Sequence, residues 1–105
     1  MAQFDLYANP DKLSARTYPY LLEVQADLLS PLPSTVVIPL ARPAVVADRP
    51  IGGLNPKVSF DGRDWVLMTQ ELAAMRRSGL GPRRGDLRSV RGEVVTALDL
   101  LFTGI

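Results

Sequence analysis

The stretch from Val58 to Met68 constrains this chain more than any other. Val58-Ser59-Phe60 and Trp65-Val66-Leu67-Met68 are strand-favouring runs joined through Asp61-Gly62. An Asp-Gly pair adopts positive φ at little cost and matches the twist of two paired strands, so the segment reads as a β-hairpin and commits the fold to an antiparallel sheet. Trp65 shares a strand face with Leu67, which suits the largest core side chain better than a recognition aromatic. Asp61 and Asp64 flank the turn, where Asp is expected for backbone reasons.

Upstream, Phe4-Asp5-Leu6-Tyr7 alternates apolar and polar residues and predicts a strand, ended by the turn residues Asn9-Pro10-Asp11. Tyr20 to Asp27 sets Leu22, Val24 and Ala26 against Glu23, Gln25 and Asp27, a second strand. After the loop Ser30-Pro31-Leu32-Pro33-Ser34, the run Val36-Val37-Ile38 predicts a third, which Pro39 should confine to an edge or end at a bulge. Residues 42–56 hold three prolines and two glycines and read as a connection, from which Ile51 and Leu54 can dock on the core. Residues 76–91 also read as loop, with Gly79, Gly81, Pro82 and Gly85.

One helix closes the sequence. Ser89 suits its N-cap, and Val90, Val94, Ala97, Leu98, Leu101 and Phe102 follow the spacing of an apolar helix face. Gly104 stands where helices commonly stop. Arg88 and Arg91 sit at the positive end of the helix dipole, a conflict with local electrostatics. The expected fold is mainly β with a C-terminal α-helix, about five strands in one domain spanning 1–105.

With no cysteine and no histidine in 105 residues, disulfides, thiolate chemistry, Ser-His and Cys-His catalysis and the usual zinc sites are excluded together. No catalytic residue, metal ligand or cofactor motif is visible. Apolar runs such as Val36 to Ala41 fall far short of a membrane span, and no signal peptide is evident, so the expected location is cytoplasmic, away from membranes.

Charge is segregated along the chain. Residues 76–91 carry six arginines against the single acid Asp86, a net +5, so the remainder carries −4 within a total of +1. Such a segment suits an acidic peptide or nucleic acid, because Arg presents planar, weakly hydrated donors; a solvated loop has the same composition. At the other extreme of composition, Phe102-Thr103-Gly104-Ile105 leaves an apolar residue at the end, which either packs on its own subunit or a dimer mate, or projects into a partner.

In order and spacing, several motifs resemble the CcdB toxin family. They are Gln3-Phe4 with Tyr7, Val24-Gln25-Ala26-Asp27, Val37-Ile38-Pro39-Leu40-Ala41, Asp64-Trp65 with Met68-Thr69, and Ala97-Leu98-Asp99-Leu100-Leu101-Phe102 with Gly104-Ile105. The resemblance runs nearly end to end. It implies a CcdB-type small antiparallel barrel related to the Src homology 3 fold, assembled as a homodimer that poisons DNA gyrase through its A subunit. It also implies neutralisation by a cognate CcdA-like antitoxin, with operator DNA reached only indirectly through that antitoxin. Gyrase contact falls on the positions of Thr103, Gly104 and Ile105, where Thr103 replaces the tryptophan that the family places there. An interface Trp lost by truncation typically costs about 2 to 4 kcal/mol. Two other expectations stand beside this one. A co-repressor would bind only the antitoxin, and a ribonuclease of the related Kid and MazF kind would use Arg63 with Asp61 or Asp64.

Overall fold

The computed structural model describes residues 2–44, 46 and 51–104. Its strands are β1 Asp5–Ala8, β2 Tyr20–Glu23, β3 Ser34–Ala41, β4 Lys57–Phe60, β5 Arg63–Leu67, β6 Ala73–Arg76 and β7 Arg83–Asp86, and helix α1 spans Arg91–Thr103. The hydrogen-bonded path runs β4-β5-β3-β2-β1-β7, with β6 paired to β3. Every pairing is antiparallel. The result is a curled half-barrel with a C-terminal helix.

The sheet has 7 strands, not about five. β6 and β7 carry no apolar alternation that a sequence pattern would reveal, and they join the sheet through backbone pairing. β7 lies inside the stretch read as loop. β2 stops at Glu23, and a single turn at Asp27–Leu29 replaces the expected end of that strand.

β3 is central rather than an edge, although it contains Pro39. The Val24 N–H donates to the Val36 carbonyl, so by antiparallel alternation Ile38 and Leu40 face β2 with their backbone groups while Pro39 faces away. On that side β6 pairs with Ser34–Val37 and β5 with Leu40–Ala41. Pro39 falls in the gap between them, where its missing N–H breaks no ladder bond and its carbonyl accepts the Met68 N–H at 2.9 Å.

The hairpin forms as expected, with φ of 54° at Asp61 and 74° at Gly62, and Trp65 is core. Leu54 is half-buried as expected, but Ile51 is exposed and does not dock. Ser89 does not cap α1. It lies within a tight turn over Arg88–Val90 that follows the buried Leu87, and Val90 takes the cap position with no side-chain bond.

Cross-strand register places Leu6, Leu22 and Ile38 in one row on the inner face. There they pack with Leu40, Trp65, Leu67 and, from α1, Val94. The row on the opposite face, Tyr7 with Leu21 and Glu23 with Val37, is buried as well. The free edges β4 and β7 meet through side chains, because the Phe60 ring lies against Gly85. A Cβ at Gly85 would stand 2.7 Å from that ring, so any larger residue would have to displace the ring from the seam.

Candidate functional site

The helix end named by the resemblance is open. Val94 and Ala97 are buried, and Leu98 and Leu101 are half-buried, whereas Phe102 is 70% exposed. Phe102 was expected on the buried face with Val94 and Leu98. Each four-residue step advances about 40° beyond a full turn, so two steps carry Phe102 round to solvent. Thr103 is exposed, and its hydroxyl donates to the Asp99 carbonyl at 2.6 Å. Gly104 adopts φ 76° and its N–H donates to the Leu100 carbonyl, the left-handed stop expected from sequence. Thr103 and Gly104 are therefore together at an exposed tip, with Phe102 beside them. Ile105 lies outside the described residues. Phe102 is the residue that apolar spacing hid, and drift of the helical phase is the signal that finds it.

On the outer face of β1 and β2, two carboxylates are held by arginines from the basic segment. Glu23, 2% exposed, accepts from Arg77 at 2.6 Å, from the Thr35 hydroxyl at 2.8 Å and from the Tyr7 hydroxyl at 3.4 Å. Asp5, 3% exposed, accepts from Arg83 at 3.2 Å and Arg88 at 3.0 Å, and also from the Ala2 N–H. Asp86 pairs with the same two arginines at 3.7 and 3.1 Å.

This pairing accounts for much of the charge segregation. Arg77 is largely buried against Glu23, and Arg83 and Arg88, though about half exposed, are each paired with the buried Asp5. It also resolves the conflict at the start of α1, where Arg88 is neutralised by Asp5 and Asp86 while the Arg91 guanidinium lies 6.0 Å from the centre of the Phe4 ring. Burial pushes the Asp5 carboxyl up, yet the bonds from Arg83, Ala2 and Arg88 outweigh it and hold Asp5 below the usual carboxylate range. Burial, and then repulsion from Glu23 and Asp5, push the Tyr7 hydroxyl up to about 12.

The third candidate set lies on the hairpin. Asp61, Arg63 and Asp64 are exposed, and Asp64 accepts from the Ser59 hydroxyl at 3.4 Å. Asp61 lines a cavity of about 500 Å³ with Ala8, Pro19, Tyr20, Phe60 and Arg84, but Arg63 and Asp64 do not. The pairings of Arg63 with Asp61 or Asp64 expected for a ribonuclease are thus not gathered in that cavity. Among the described residues no cluster of acidic side chains is placed to hold a metal ion. No helix among them is long and apolar enough to cross a membrane.

The fold is a mainly β, curled antiparallel half-barrel with a C-terminal helix, the class to which CcdB-type folds belong. Within that class the match is specific: the family described as CcdB protein matches residues 3–104. The chain belongs to the CcdB family. Among solved structures it is similar to an endoribonuclease in complex with its cognate antitoxin from a mycobacterial species. That likeness has a TM-score of 0.71 and 12% sequence identity, over 94% of this chain and 91% of the other. At that identity the likeness is one of fold.

Proposed function

We propose that this protein is the toxin of a type II toxin–antitoxin pair, a homodimer that docks its two helix tips on the A subunit of DNA gyrase and poisons the gyrase–DNA complex. A cognate CcdA-like antitoxin neutralises it, and the pair reaches operator DNA through the antitoxin. The CcdB family match supports the toxin assignment, and the observation that carries the gyrase reading is the open tip of α1. An exposed aromatic that costs no burial within its own subunit is the kind of anchor that dominates protein interfaces. Phe102 supplies it, and Thr103 and Gly104 give the backbone a compact end beside it. Phe102 takes over the aromatic contact that the replacement at Thr103 removes.

The test is trapping of cleaved DNA by cognate gyrase and the purified toxin. Trapping that falls by roughly 30-fold or more in Phe102→Ala agrees with an interface anchor worth about 2 kcal/mol or more. Absence of trapping by the unaltered protein at high micromolar concentration rejects the gyrase reading and leaves the co-repressor role, which an antitoxin-binding and operator-binding assay then measures.

A second reading, a ribonuclease, is favoured by the likeness in fold to an endoribonuclease. Incubation of RNA with stoichiometric protein, with products resolved by length, separates the two. Cleavage that disappears in Arg63→Ala would establish the nuclease.

A further inference from the structure

The half-barrel leaves a cavity of about 500 Å³ at its seam, between the β4–β5 hairpin on one side and the ends of β1, β2 and β7 on the other. The size lies within the range of small-ligand sites, and mouths of β-barrels are common places for them. Tyr20 and Phe60 line it, both half-buried, with ring centroids 5.4 Å apart at 80°. Two charged groups stand at the rim, Asp61 and Arg84, and both are exposed.

Arg84 differs from its neighbours in the basic segment. Arg77, Arg83 and Arg88 are bound by internal carboxylates, while among the described residues Arg84 forms no ion pair and neither does Asp61. The cavity thus combines two charged groups of opposite sign, neither in an ion pair among the described residues, with two aromatic side chains. A matching ligand has a flat, stackable body, an anion at one end and N–H donors at the other.

We propose that this seam cavity binds a guanosine 5′-phosphate unit, free or within a single strand. The base stacks on the face of one of the two rings and meets the other edge-on, as their 80° angle requires; Arg84 pairs with the phosphate, and the two oxygens of Asp61 accept the adjacent N1–H and N2–H donors of guanine. Uracil offers no amino group to that carboxylate. Phe60 is held in place because its ring rests on Gly85, and Asp61 is held by the turn at φ 54°. The site is independent of the helix tip and of the gyrase reading.

The structure supplies its own reporter. Trp65 is the single tryptophan, its indole N–H donates to the Phe60 carbonyl at 3.1 Å, and its ring stands 5.1 Å from that of Tyr20. The experiment is an NMR titration of the full chain with GMP and with UMP, following the Trp65 indole and the Asp61 and Arg84 amides. Saturable shifts with GMP are expected, with UMP at least about fivefold weaker. Asp61→Asn keeps the turn, since Asn tolerates positive φ, and should erase that preference; Arg84→Ala should weaken both nucleotides about tenfold. A guanine-containing RNA or DNA pentamer that binds far more tightly than GMP assigns the site to single strands, and equal affinity assigns it to the free nucleotide. Unmoved reporters at about 10 mM GMP, or undiminished binding in Arg84→Ala, would overturn the proposal.

Discussion

The two faces of the central sheet are buried to the same degree and held by opposite physics. On the inner face Leu6, Leu22 and Ile38 are fully enclosed among other apolar side chains. On the outer face, the same strands bury Asp5 and Glu23 beneath Arg77, Arg83 and Arg88. Apolar burial is non-directional and spreads a defect over many neighbours, whereas a buried carboxylate depends on one or two donors in fixed positions. The inner face makes the sheet cohere. The outer face fixes where the loops lie, because Arg77 also donates from Nε to the Leu32 carbonyl at 2.8 Å and so ties the β2–β3 connection to the end of β6.

The largest departure between the faces is expected from Arg77→Met. Glu23 would keep only Thr35 and Tyr7 as partners while remaining buried, and breaking such a pair from one side costs about 3 to 5 kcal/mol. Denaturant unfolding measures it. The double variant Arg77→Met with Glu23→Gln should recover a large part of the loss, since no uncompensated charge remains; equal instability in the two would show that the packing of Arg77, not its charge, is what the outer face uses. On the inner face, Leu22→Ala should cost about 2 to 5 kcal/mol through lost transfer energy and a cavity. No second substitution on the outer face should rescue it.

The same contrast governs what could be read from the chain. Inner-face residues announce themselves by local pattern: Leu22 and Val24 alternate with the polar Glu23 and Gln25, and Val58 and Trp65 flank an Asp-Gly turn. The outer face is non-local, since Arg77 reaches Glu23 across 54 positions and Arg83 and Arg88 reach Asp5 across 78 and 83. Composition alone therefore shows an arginine-rich loop where the fold builds β7 and, among the described residues, five ion pairs, three of them to buried carboxylates. The helix tip falls between these cases. Gly104 is legible because a left-handed stop is a local property, but Phe102 depends on where the phase of α1 stands after three turns against the sheet.

Acid should expose the difference between the faces without any substitution. Asp5 is held below its ordinary value of 3.8, so its contribution is fully present above that pH and is lost as pH falls through the lower, folded-state value. Asp5→Asn should flatten this part of the stability profile, measured by denaturant midpoints across pH 2 to about 5, while Leu22→Ala should shift the whole profile down without changing its shape.

The smallest effect belongs to Tyr7, which lies on the outer row yet carries a neutral group. At neutral pH, Tyr7→Phe removes one long hydrogen bond to Glu23, 3.4 Å, and should cost about 1 kcal/mol or less. At alkaline pH the sign reverses its meaning. The hydroxyl is raised from 10.0 to about 12, so the unfolded chain ionises first, and stability falls as pH climbs from 10.0 through the folded-state value. Phenylalanine cannot ionise. Its variant should therefore lose less stability than the unaltered protein over that window, and the two curves should converge or cross. A constant gap between them from neutral to alkaline pH would mean that the folded protein does not raise the Tyr7 hydroxyl at all, whether by burial or by repulsion from Glu23 and Asp5.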